Sequence, residues 1–249
     1  MLLESSLTTW TRIDFADILE QTHQISPSHY MSDFGHTEDF RRERRVERNA
    51  AHLFTRACQS GDVLLFDEAV SRISETVDGW LVAMRKVVRE VRAVSPQIRS
   101  AFQAVWIESK MLPLHVGNHR ALCNAARLLL PKYSGPPVRL FRGAGAAERR
   151  RRIYGLSWSA DIECATRFAD GRRVWDGGSV LFETLAASEA IICKITYPPP
   201  LTQKEIKALK RKYPRITIDE FHEEQEYLVD RRYLNVVKVV RRYAQTFPE

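Results

Sequence analysis

Cysteine is scarce in this chain of 249 residues: four stand far apart, at Cys58, Cys123, Cys164 and Cys193. No two form a C-x-x-C pair, which argues against a disulfide framework and a cysteine-rich zinc site and leaves buried free thiols as the expectation. Long apolar runs are missing as well. No stretch approaches the roughly 18 apolar residues that a membrane span needs, and the opening MLLESSLTTW has neither a positive n-region nor an apolar core. A cytoplasmic protein without a membrane partner is expected, with export by an unconventional route left open. Histidine pairs are equally thin. His115 and His119 lie four apart, but Gly117 and Asn118 between them read as a helix start and no third ligand accompanies them, so no metal is expected.

What is present is an average globular composition, 44% hydrophobic and 28% charged, which favours neither disorder nor a membrane protein. Charge is unevenly placed. Residues 1–130 carry 16 Lys and Arg against 16 Asp and Glu, whereas residues 131–249 carry 22 against 15, so the whole +7 belongs to the second half. An anionic ligand or partner is implied there. The basic runs at 149–152 and at Lys204, Lys207, Lys210, Arg211 and Lys212 read first as solvated surface and only second as nucleic-acid contacts.

Periodicity divides the chain. Phe66, Val70, Ile73, Val77, Trp80, Met84, Val87, Val91 and Val94 alternate steps of four and three, which predicts one long helix that Pro96 helps to end. Gly79 within the stripe, and a second pattern at Ile98, Phe102, Val105 and Trp106, favour a local bundle over a coiled-coil dimer. Asn118 is a candidate cap for a third helix carrying Leu122, Ala126 and Leu129, closed by Pro131. The run RRERRVER at 41–48 reads as an exposed helical face. Beyond Pro131 come short β-branched or aromatic runs at 138–141, 179–183, 190–195, 216–218, 226–229 and 235–239. The predicted class is α+β: a helical lobe over residues 1–131 and a mostly antiparallel lobe over residues 132–249, joined by KYSGPP. No internal repeat is evident. One helix is expected inside the second lobe, with Ser159 at its start, Ile162, Ala165 and Phe168 or Ala169 on one face, and Gly171 at its end.

Three short features stand in order there: Phe141, Arg142 and Gly143 on a strand; Ser157, Trp158 and Ser159 leading into that helix; and Glu224, Gln225 and Glu226 before the apolar Tyr227, Leu228 and Val229. Each alone is weak, because arginine beside glycine, paired serines and acidic loops are common. Residues two apart on a strand face one side, so Glu224 and Glu226 are expected to share a cleft, where their repulsion separates their tasks.

Taken in order, the three features resemble the arginine-serine-glutamate class of mono-ADP-ribosyltransferases, which includes many bacterial toxins and vertebrate ecto-enzymes. In that family an aromatic-Arg-Gly closes the first strand, a Ser-x-Ser leads into a helix, and a Glu-x-Glu precedes an apolar strand. The resemblance covers about residues 136–240, and Trp158 departs from it by standing where threonine is usual. It implies a two-sheet core that binds NAD as co-substrate and transfers ADP-ribose to a macromolecular acceptor, a protein arginine ahead of nucleic acid. Glu226 would steady the ribosyl cation, Glu224 would deprotonate the acceptor guanidinium, and Ser157 would hydrogen-bond Glu226. Arg142 would anchor the dinucleotide, Gly143 would present its backbone to nicotinamide, and Ser159 and Phe168 would complete the cofactor pocket, Phe168 by stacking. Transfer to nucleic acid, NAD hydrolysis with water as acceptor, and a catalytically silent binding module stay open as alternatives.

Overall fold

The computed structural model describes residues 36–109, 111–174, 177–197, 211 and 225–246. The chain divides into two compact units, Met1–Arg44 and Arg45–Glu249. The predicted strand at 216–218 and Glu224 lie outside the described residues.

Helices come first: α1 (His36–Ser60), α2 (Val63–Ser74), α3 (Gly79–Glu90), α4 (Pro96–Glu108), α5 (Leu112–Val116) and α6 (His119–Leu129). The apolar stripe predicted as one helix is two. It breaks between Ser74 and Gly79, so Val77 is 85% exposed and Val91 and Val94 fall beyond the end of α3. Phase survives the break, because Phe66, Ile73, Trp80, Met84, Val87, Val91 and Val94 are all buried in this one chain, as a local bundle requires. Pro96 starts a helix instead of ending one, at the first position of α4, where a missing N–H costs nothing. Side-chain caps define the starts: Asp62 accepts from the Leu65 N–H, Ser95 from Ile98 and Asn118 from Ala121, each contributing about 1 kcal/mol. Gly117 ends α5 and Asn118 caps α6, so His115 and His119 belong to different helices. Phe54, Phe66 and Trp80 meet at 5.2 and 6.1 Å in the bundle core. All four cysteines are free and buried. The exposed face expected at 41–48 holds except at Arg44, which is half-buried, and at Glu47, which is buried and accepts from the Asp78 N–H.

After Leu130 the chain enters β1 (Val138–Gly145), α7 (Ala146–Arg151), β2 (Ser157–Ser159), α8 (Ile162–Gly171), β3 (Ser179–Ala186), β4 (Ile191–Lys194), β5 (Glu226–Val229), a 3-10 turn (Arg231–Tyr233) and β6 (Lys238–Tyr243). The class is α+β. Among the described residues the strands form one six-stranded sheet in the order β4-β5-β2-β1-β3-β6, antiparallel at every junction, where two sheets were expected. That sheet is nearly divided, however. β1 runs beside β3 over eight residue pairs but meets β2 at the single pair Phe141 and Ser159. The reason is local: β2 is only three residues long, because Asp161 already caps α8 and diverts the chain.

Each face of the sheet has its own core. Leu156, Ile192, Cys193, Ile195 and Leu228 pack into the helical bundle, whereas Leu140, Ala144, Trp158, Val180, Phe182, Tyr227 and Val229 form a second cluster on the other face. Removing apolar surface on both faces stabilises the sheet by roughly 25 cal/mol per Å² buried. No helix among the described residues is long and apolar enough to cross a membrane.

Candidate functional site

The narrow junction of the sheet gathers the motif-bearing strands side by side. Register places Phe141 of β1, Ser159 of β2 and Glu226 of β5 in one row across three strands. Strand alternation then puts Ser157, Ser159, Glu226 and Leu228 on one face, the face turned toward the bundle core. Directly opposed residues on antiparallel strands have Cβ atoms about 5 Å apart, so the serine facing Glu226 is Ser159. Ser157 faces Leu228 instead.

Glu226 is a buried carboxylate, and its two oxygens take hydrogen bonds from residues that the motif does not contain. The Trp106 indole on α4 donates to Oε1 at 3.4 Å, and the Tyr197 hydroxyl donates to Oε2 at 2.7 Å. The expected bond from Ser157 is replaced by these two. Close by, burial first and the Glu226 charge second push the Cys193 thiol up to about 12, so it stays protonated at neutral pH. Gln225, directly before Glu226, has φ of 42°, a left-handed conformation that costs a non-glycine residue about 1 kcal/mol. Its carbonyl accepts from the Ala160 N–H at 3.2 Å, tying the entry of β5 to the exit of β2.

Arg142 lies one residue past Phe141 and alternates to the other face, that of Trp158 and Phe182. Its Nε and Nη2 form a fork on Glu148 of α7 at 3.0 and 2.7 Å, and Nη1 donates to the Ser157 carbonyl at 2.7 Å. Three of its five N–H groups are therefore engaged within the chain. The guanidinium thus bridges β1, α7 and β2 across the narrow junction. Gly155 makes room for it: a Cβ there would run into the Arg142 guanidinium. Burial pushes the Glu148 carboxyl up, but the Arg142 charge and hydrogen bonds and the Gly155 N–H outweigh it and hold the group below the ordinary carboxylate range.

Gly143 also has a packing reason. A Cβ at this position would strike the Ala165 carbonyl and the Ala169 N–H, so the missing side chain lets α8 lie against β1. Its carbonyl accepts from Arg172 Nη1 at 2.6 Å. On that helix Asp161, not Ser159, is the cap, while Ser159 Oγ accepts from the Asp161 N–H at 2.9 Å. Ala165 and Ala169 are buried, and Phe168 is 46% exposed, an aromatic at the surface and not a core residue.

A second cluster escaped sequence reasoning. His119, Cys123 and Asp230 bring ligand-type atoms within 4.8 Å of one another. The Asp230 carboxylate is fully buried, receives a fork from Arg232 at 2.7 and 2.9 Å, and has Arg127 at 3.5 Å. Burial, then the Arg231 charge, bring His119 down to about 4, so the ring is neutral. These contacts make the cluster an ionic tie between α6 and the turn after β5, with its carboxylate already satisfied by arginine.

Comparison with protein-family models, with curated proteins and with solved structures gives no match. The chemistry of the site therefore rests on its own geometry.

Proposed function

We propose that this chain is a mono-ADP-ribosyltransferase, which breaks the nicotinamide–ribose bond of NAD and passes ADP-ribose to an acceptor, with protein arginine ahead of nucleic acid. The observation that carries the reading is the placement of Glu226: a buried, hydrogen-bonded carboxylate on the same row as Ser159, on the strand beside the one that carries both serines. Breaking the glycosidic bond leaves positive charge on the ribose, and a fixed carboxylate in a poorly solvated place stabilises it far better than water does. Nicotinamide leaves neutral with the bonding pair. The acceptor nitrogen then forms the new bond to the ribose carbon and its proton passes to a base, for which Glu224 is the candidate from the sequence motif. Arg142 and Glu148 would serve by holding β1 and β2 in register beside that carboxylate.

Incubation with NAD labelled in its adenylate portion, together with a cell lysate, tests the reading. Label on protein and released nicotinamide are expected. Glu226→Gln should lower nicotinamide release a hundredfold or more, as removal of one electrostatic stabiliser typically does (about 10²–10³). A folded Glu226→Gln protein that keeps more than about a tenth of the parental rate overturns the assignment. Label on nucleic acid instead would favour the exposed Lys238, Arg241 and Arg242 of β6 as the acceptor-facing surface, with binding that falls steeply as salt rises.

A further inference from the structure

We infer that Trp106 and Tyr197 are positioning residues for Glu226, so that the helical bundle is a working part of the site and not a separate appendage; this rests on the proposed transferase reading. Both side chains only donate toward the carboxylate. An indole N–H has no acceptor character, and the Tyr197 hydroxyl approaches Oε2 at 2.7 Å, the short separation of a charge-assisted bond. Two donors, one on each oxygen, hold the plane of the carboxylate. A carboxylate has about four lone-pair sites, so two donors leave room for a ribose hydroxyl and the developing cation.

The donors are themselves held in place. Ile195 N–H donates to the backbone carbonyl of Glu226 at 2.9 Å, and Gln103 Nε2 donates to the Thr196 carbonyl at 2.7 Å, so the two residues preceding Tyr197 are tied to β5 and to α4. Gln103 and Trp106 lie three apart on α4 and share a face. One face of one helix thus orients both donors, Trp106 directly and Tyr197 through the chain that carries it. Trp106 is buried against the bundle core, which fixes its ring. None of these residues belongs to the motif that identified Glu226.

The test compares parent, Tyr197→Phe, Trp106→Phe and Trp106→His for nicotinamide release, NAD affinity and thermal unfolding. A lost hydrogen bond to a charged group corresponds to a rate about tenfold lower or more, here in kcat, with NAD affinity changed by less than about twofold. Trp106→His keeps a ring N–H and should recover part of the rate that Trp106→Phe loses, the reverse of the order expected if the ring only packed. In a Glu226→Gln background, Tyr197→Phe should leave the residual rate unchanged, because its effect runs through Glu226. Should Trp106→Phe fail to fold, Tyr197→Phe and the double variant carry the test alone. A parent that turns over NAD beside a Tyr197→Phe protein of equal rate overturns the positioning role and leaves the transferase reading intact. A parent that releases no nicotinamide overturns the transferase reading, and this role falls with it.

Discussion

Arg142→Lys separates a bracing arginine from a ligand-binding one, because the structure and the family resemblance expect different losses. The Arg142 side chain is 12% exposed and donates three hydrogen bonds, two to the Glu148 carboxylate and one to the Ser157 carbonyl. Lysine preserves the charge but has no planar fork, and a single ammonium cannot span both partners in the same geometry. Two of the three bonds should be lost. Hydrogen bonds involving charged groups are worth about 1.5–3 kcal/mol each, and the retained Coulomb attraction offsets part of that, so a loss of about 2–4 kcal/mol is expected. In a chain of this size that corresponds to a melting temperature lower by about 4–15 °C. Urea unfolding and a thermal scan, both without NAD, measure it, and an unchanged urea slope would show that the unfolded state is unaltered. A variant within about 0.5 kcal/mol of the parent that binds NAD weakly would refute the bracing argument and return Arg142 to the dinucleotide.

Gly143→Ala should destabilise by about 3 kcal/mol, since the new methyl meets the backbone of α8 at Ala165 and Ala169, where no side chain can yield; unfolding by urea would show it, and a neutral result would mean that α8 does not lie where described. Glu224→Gln should abolish transfer to protein while nicotinamide release continues with water as acceptor, and assays of both products on one sample check it; equal collapse of both would give Glu224 a share in the first step. Stability should also fall in two stages with acid. His119 has a folded value near 4 against 6.5 in its unperturbed state, so its contribution is complete above about pH 6.5 and lost as pH falls toward 4. His119→Gln should flatten the difference in urea midpoint between pH 7 and pH 5. Glu148 and Asp230 are both held below the ordinary carboxylate range, against burial, by Arg142 and by Arg232 respectively, so the stability that they add is present above their unfolded values and lost as pH falls further. A midpoint that does not drop below about pH 4 would contradict that arrangement.

Local chemistry made several elements legible without tertiary contacts. A side-chain oxygen that accepts from the third residue on specifies a helix start by itself, which is why Asn118 and the end at Pro131 could be read directly. Strand β5 falls where β-branched and aromatic residues predict it, and the thiols are buried and unpaired as their spacing requires. The stripe from Phe66 to Val94 misled only about continuity. Seven residues separate Ile73 from Trp80 whether the helix continues or turns between them, so periodicity cannot see the break at 74–79.

Partnership across the fold was decided elsewhere. A shift in strand register moves a side chain to a different neighbour, and nothing local to Ser157 or Ser159 states which of them faces Glu226; the pairing of β2 with β5 does, and it selects Ser159. Arg142 carries the same fork whether it meets phosphate or carboxylate, and only the packing of α7 against β1 delivers Glu148 to it. Trp106 reads in sequence as a core residue of an amphipathic helix, which it also is. Its indole N–H meets a carboxylate 120 residues further along because one face of β4 and β5 packs into the bundle core, a contact that no periodicity encodes.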